Sequence, residues 1–169
     1  MGARAARPRE SVVYLSLGSN LGDRRANLEQ ALRRLAETPG VRITRVSRRY
    51  RSAPLGVTEQ PEFLNLAAEA RTSLAAVELL RAAKGIERDM GRASGQCWGP
   101  RVIDIDILLY DAVHMDTPEL TLPHPRMAER GFVLVPLAEI APHLRLPDGQ
   151  QVAELAQALR REQDVDADV

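Results

Sequence analysis

The chain has 169 residues and a mass of 18.7 kDa, a size suited to one domain that buries roughly 70% of its unfolded surface. With 44% hydrophobic and 27% charged residues it falls outside the disordered, collagen-like and low-complexity classes, and its single cysteine, Cys97, excludes an internal disulfide scaffold or a Cys-rich metal site. Twenty-three Lys plus Arg balance 23 Asp plus Glu, so the molecule as a whole offers no general attraction to a polyanion.

The first ten residues carry arginines with no apolar stretch behind them, which is not a secretory signal, so 1–10 is expected to be a flexible tail. No apolar run approaches the roughly 18 residues of a membrane span, and a cytoplasmic protein is the expectation. Ser11 to Leu17 reads as a buried strand ending in the turn formers Gly18-Ser19-Asn20-Leu21-Gly22-Asp23. From Arg24, the apolar residues Leu28, Ala31, Leu32 and Leu35 recur with a helical period that Pro39-Gly40 ends. Val41 to Arg51 reads as a second strand, with β-branched residues set among arginines. Residues 53–62 contain Pro54, Gly56 and Pro61 and form a long loop.

Phe63 to Arg71 reads as a third strand. Thr72 or Ser73 is placed to cap a second helix whose stripe is Leu74, Val77, Leu80, Ile86 and Met90, with Gly91 at its C′ position. Arg92 to Arg101 is loop, and Val102 to Tyr110 is the most β-branched strand. This β-α-β-β-α-β order predicts an α+β, ferredoxin-like antiparallel sheet with helices. A short strand near Leu120 to Leu122, a helix over 131–140 and a helix over 152–161 follow. One catalytic domain over 11–162 is expected, with 163–169 a second flexible tail.

The sharpest chemical signal is Ile103-Asp104-Ile105-Asp106-Ile107. Strand side chains alternate faces, so both aspartates point one way, their Cα atoms roughly 6.5 to 7 Å apart. Two like charges side by side on a strand are unfavourable unless a cation joins them, and an oxygen-only ligand set suits Mg²⁺ rather than zinc. The alternative is a solvated acidic pair. Arg92 and Arg101 bound the preceding loop around Trp98-Gly99-Pro100, and arginine, metal and carboxylate together describe phosphate chemistry. There is no P-loop and no Gly-rich dinucleotide turn.

Phe63 and Phe132, the two phenylalanines, are either core residues or faces for stacking a flat ring, with Asn65 on the same strand face as Phe63. His124 lies between two prolines with Arg130 six residues on, and a phosphate contact is one use for the pair. No serine or cysteine nucleophile accompanies the histidine. Cys97 has no evident histidine partner.

These segments closely resemble the 6-hydroxymethyl-7,8-dihydropterin pyrophosphokinase family over about residues 12 to 150. The resemblance lies in YLSLGSNLGDR (14–24), Ser52-Ala53-Pro54-Leu55-Gly56 with Gln60-Pro61-Glu62-Phe63-Leu64-Asn65, MGR (90–92), WGPRVIDIDILLYD (98–111) and LPHPRMAERGFVLVPLAEIAP (122–142), in family order.

It implies pyrophosphoryl transfer from ATP to a pterin alcohol, with two Mg²⁺ ions on Asp104 and Asp106. Phe63, Phe132 and Trp98 would meet the pterin, and Asn65 with Ala53, Pro54 and Leu55 would read its edge. Arg92 and Arg101 would contact the phosphates in the transition state. Lys84, Glu87, Trp98, Arg101, Ile107, Thr121, His124 and Arg130 would face ATP. The partners implied are small molecules, with no nucleic acid or membrane, and a monomer is expected. Three departures stand out: Cys97 and Glu119 occupy positions often basic in the family, and the loop from Arg92 to Trp98 is one residue shorter than in some members. Two rival readings remain at this level: a non-catalytic binding module, and an RNA binder using Arg42, Arg45, Arg48, Arg49 and Arg51.

Overall fold

Alternation along the first strand sets the architecture. β1 (Ser11–Ser19) sends Val13, Leu15 and Leu17 to one side of the sheet and Tyr14, Ser16 and Gly18 to the other. The computed structural model describes residues 9–54, 59–91 and 102–169. Asp23 then caps α1 (Arg24–Glu37) by accepting a hydrogen bond from the Ala26 N–H at 3.1 Å. Leu28, Ala31 and Leu35 form its buried stripe, and Gly40, at φ +83°, makes the return turn.

The predicted strand 41–51 is broken into β2 (Val41–Val46) and β3 (Tyr50–Ser52). Ser47 still pairs with Ala67 through its amide and its hydroxyl, but the Arg48 N–H leaves the ladder for the Glu139 carboxylate at 2.5 Å. A remote acid thus removes one rung and splits the strand. Both pieces pair with β4 (Phe63–Thr72), β2 along 68–72 and β3 along 63–65.

α2 (Ala76–Asp89) begins later than the capping expectation. The Thr72 hydroxyl donates to the Gly40 carbonyl at 2.7 Å and accepts from Leu74 N–H, tying the strand ends together rather than capping the helix. Ala75 is the N-cap residue, and its N–H is held by Glu78 at 3.2 Å. Leu79, Ala83 and Glu87 join Leu80 and Ile86 in the buried face, whereas Val77 stays only half-buried. Gly91 takes φ +101° just beyond the helix.

β5 (Asp104–Tyr110) pairs with β1, giving the antiparallel order β5-β1-β4 with β2 and β3 both on the far side of β4. β6 (Met115–Asp116) and β7 (Thr121–Leu122), the short strand expected near Leu120 to Leu122, form a two-stranded ladder. A 3-10 turn at Met127–Glu129 leads into α3 (Gly131–Ile140), and α4 (Val152–Glu162) packs against it.

The C-terminal segment expected to fray is instead part of the sheet. β8 (Asp166–Ala167) pairs with the open edge of β3, Val165 is buried, and Asp168 bonds Arg25 and the Arg49 carbonyl. An uncovered edge strand is a template for such pairing.

The result is a mixed α/β chain in which helices cover both faces of an antiparallel sheet. α1 and α2 bury Leu15, Leu17, Leu66, Ile105 and Ile107 on one side. α3 and α4 bury Tyr14, Tyr50, Ala67, Leu108 and Leu109 on the other. Leu108 is an extra residue in β5, because Tyr14 pairs with Leu109 and Leu15 with Ile107, so the strand bulges and sends both leucines to the second core. Among the described residues no helix is long and apolar enough to cross a membrane.

Candidate active site

Strand register assembles the site. Asp104 lies opposite Gly18, Gly18 opposite Asn65, and Asn65 opposite Tyr50, forming one row across β5, β1, β4 and β3. One step along, Asp106 lies opposite Ser16, and Ser16 opposite Ala67. At about 4.8 Å between strands, the aspartate end of the row lies about 10 Å from Asn65. These residues share the face that α3 and α4 only partly cover.

Gly18 is required here for close approach. A Cβ at this position would stand 3.0 Å from the Asn65 Oδ1 and 3.5 Å from the Phe63 ring. Asn65 is 2% exposed and donates both amide hydrogens, to the Ser52 hydroxyl at 2.8 Å and the Tyr50 carbonyl at 3.3 Å. A carbonyl only accepts, which sets the amide orientation and leaves Oδ1 turned toward Gly18 as an acceptor. Phe63 is half-buried beside it; Ala53 is exposed and Pro54 half-buried just after β3.

Asp104 and Asp106 are both half-buried. The backbone N–H between them, on Ile105, is held by the buried Glu87 carboxylate at 2.8 Å, and Lys84 Nζ lies 3.3 Å from the other Glu87 oxygen. Ile107, also expected near ATP, turns its side chain into the core on the opposite face. Thr121 is half-buried on β7. Among the described residues no group of three or more His, Cys, Asp or Glu could hold a metal. Two carboxylates on one strand face still fit Mg²⁺, which takes one or two carboxylates and fills its remaining positions with water and substrate phosphate oxygens.

The opposite rim comes from the chain between β7 and α3. Burial holds the Arg130 guanidinium below the usual arginine range; Asp106, then Asp104, pull it back up, and Arg126 pushes it further down. The Arg130 guanidinium also stands 5.6 Å from the centre of the Phe132 ring, in cation–π range. His124 is lowered to about 4 by burial, then by Arg130 and Arg126, so it is neutral at physiological pH. Its Nδ1 accepts from the Arg126 N–H at 3.2 Å, which places the proton on Nε2 as a donor.

The structure therefore brings Asp104, Asp106, Arg130 and His124 toward one region and Asn65 and Phe63 to the far end of the row, with Phe132 beside Arg130. Leu55, Arg92, Cys97, Trp98 and Arg101 lie outside the described residues. Sequence reasoning overlooked Ser16, Ser52 and Arg126. Ser16 could have been found as the neighbour of Gly18 on the same strand face, whereas Ser52 shows its use only through the β3–β4 register. The arginines of the RNA-binding alternative are largely committed: Arg42 to Glu10, Arg45 to the Ile140 carbonyl, Arg48 to Glu139, and Arg49 to Glu29 and Asp168.

The family model for 7,8-dihydro-6-hydroxymethylpterin-pyrophosphokinase matches residues 14–142. The chain belongs to this family. It is 46% identical over 146 residues to the 2-amino-4-hydroxy-6-hydroxymethyldihydropteridine pyrophosphokinase of Pseudomonas aeruginosa, covering 86% of this chain and 90% of that protein. With the Bacillus subtilis enzyme of the same name identity is 47% over 130 residues, covering 77% and 78%. The Arabidopsis thaliana mitochondrial folate synthesis bifunctional protein is 47% identical over 131 residues, but the match covers only 24% of its length.

Among solved structures, a Plasmodium falciparum HPPK-DHPS with STZ-DHP superposes with a TM-score of 0.72 at 13% identity, over 94% of this chain and 47% of that one. That likeness supports the mixed α/β fold alone. The enzyme is a transferase of folate biosynthesis that moves pyrophosphate from ATP to hydroxymethyldihydropterin.

Proposed function

We propose that the row Asp104–Gly18–Asn65 is the axis of this transfer, with phosphates at the aspartate end and the pterin at the asparagine end. The register that aligns these residues on adjacent strands is the observation that carries the reading. The strand order and the two helices on one face support a ferredoxin-like framework extended by α3, α4 and β8.

Asp104 and Asp106 would hold two Mg²⁺ ions. Mg²⁺ bound there supplies charge neutralisation on the bridging and departing phosphate oxygens. Arg130 adds a cation at the same end, and His124 adds a neutral Nε2–H donor suited to a phosphate oxygen. Arg92 and Arg101 are assigned to the transition-state charge, and Lys84, Glu87, Trp98, Ile107 and Thr121 to the nucleotide's surroundings.

At the other end, both amide hydrogens of Asn65 are committed to Ser52 and Tyr50, so its Oδ1 is the atom that would meet a ring N–H. Phe63 and Phe132 supply faces for the ring, with the backbone near Ala53, Pro54 and Leu55 at its edge. The pterin hydroxyl attacks the β-phosphorus and gives up its proton to solvent, the bond from that phosphorus to the oxygen it shares with the α-phosphate breaks, and AMP leaves carrying that oxygen. Such transfer depends on positioning and charge stabilisation rather than covalent chemistry by the protein.

Incubation with ATP, Mg²⁺ and 6-hydroxymethyl-7,8-dihydropterin should give AMP only when all three are present. Asp104→Asn and Asp106→Asn should each lower kcat about a hundredfold or more. ADP as the product, or near-normal turnover in either variant, would refute the assignment.

A further inference from the structure

Arg130 occupies the N-cap position of α3, where Ser, Thr, Asp or Asn would normally satisfy a free helix N–H. It makes no side-chain cap: its guanidinium is turned toward the Phe132 ring and is pulled on electrostatically by Asp104 and Asp106. A long cationic side chain reaching into the site cannot also fold back on its own helix. The missing cap comes from elsewhere in the chain.

Gln163 supplies it. Its Oε1 accepts from the Gly131 N–H at 2.7 Å and its Nε2 donates to the Glu129 carbonyl at 2.8 Å. One side-chain amide therefore bridges the residues on either side of Arg130, and its orientation follows from the fixed donor and acceptor it meets.

Gln163 is itself held in place. It is the C-cap residue of α4, with its N–H bonded to the Leu159 carbonyl at 2.9 Å. The chain then turns through Asp164, at φ +50°, and anchors the buried Val165. The approach is close enough that a Cβ on Gly131 would stand 3.1 Å from Gln163 Oε1, from the Leu159 carbonyl and from Val165 Cγ2.

We infer that Gln163 is a positioning residue for the reaction, setting the backbone of 129–131 so that Arg130 faces the ATP phosphates and Phe132 the pterin. This rests on the site reading given above. Gln163 touches neither substrate and acts entirely through the two residues it brackets.

The test is calorimetric binding of α,β-methylene ATP with Mg²⁺, then of the dihydropterin to that complex. Gln163→Met keeps the length of the side chain and removes both hydrogen bonds, and should weaken each step by about tenfold. Gln163→Asn, an amide one methylene too short to span both groups, should fall between. Ala156→Gly, which weakens α4 without touching the bridge, serves as the stability control and should bind both ligands like the unmodified enzyme.

Unchanged affinity in folded Gln163→Met, or an equal loss in Ala156→Gly at matched Tm, overturns the inference. Arg130→Ala and Phe132→Ala, measured in parallel, separate the two levels. If both leave binding intact, the site reading has failed and takes the inference with it; if they weaken binding and Gln163→Met does not, the inference alone has failed.

Discussion

Gly18 shows how a single hydrogen in place of a methyl group governs the approach to Asn65, at the proposed pterin end of the site. The Asn65 oxygen that a Cβ would approach at 3.0 Å cannot swing away without breaking the bonds to Ser52 and Tyr50. Gly18→Ala is therefore expected to raise KM for the dihydropterin about tenfold or more while leaving KM for ATP nearly unchanged, which steady-state kinetics with each substrate varied will show. His124 carries a different signature. In the unfolded chain it takes up a proton near pH 6.5, whereas in the folded chain it does so only near about 4. Its contribution to stability is thus full above about pH 6.5 and is lost as pH falls toward 4. His124→Gln should lose less Tm than the unmodified enzyme between pH 7 and pH 4, and parallel losses in thermal denaturation would contradict the burial of a neutral imidazole. The residue types at both places, and the closeness of His124 to Arg130, are legible in the sequence; the partners of Asn65 are not, because Gly18, Ser52 and Tyr50 reach it only after the chain has folded.

Elements were readable where their determinants are local. α1 follows from a helical period, an aspartate at the cap and Pro39-Gly40 beyond its end, all within one stretch of chain. Asp23→Ala should cost about 1 kcal/mol in chemical denaturation with no change in either KM, since the cap touches no site residue. Where a determinant is remote, the reading slipped. The β-branched residues of 41–51 do lie in strands, but the break comes from Glu139, 91 residues away from the Arg48 amide it captures. The start of α2 moved because the Thr72 hydroxyl serves Gly40, 32 residues earlier, instead of its own helix. β7 falls within the short strand expected near Leu120 to Leu122, whereas β6 and β8 are two residues each, carry no pattern and are defined only by pairing.

At the scale of the whole molecule, apolar clusters pack on both sides of the sheet, and Asp104 and Asp106 are only half-buried at its margin. Chelation of divalent metal should therefore abolish turnover while leaving far-UV circular dichroism and Tm close to their starting values, with activity restored by added Mg²⁺; unfolding on chelation would show that the metal is structural instead. The cores also explain why the C-terminal segment is ordered. Val165 fills the second core, and the pairing of β8 with β3 covers the edge of the strand that carries Ser52, so the segment that reads as a polar tail backs the strand beneath Asn65.

Local patterns in the chain specify the order of the main strands and helices, the placement of Asp104 and Asp106 on one face, and, through ordered motifs, the reaction. Those depend on side-chain periods and neighbours a few residues apart, which the chain displays directly. Folding alone brings Asp104, Gly18 and Asn65 into one row, commits both Asn65 amide hydrogens to Ser52 and Tyr50, and lets Gln163 complete the helix at Arg130 from 32 residues away. Register, burial and borrowed hydrogen bonds are properties of pairs distant in sequence, and no local pattern names the second member of the pair.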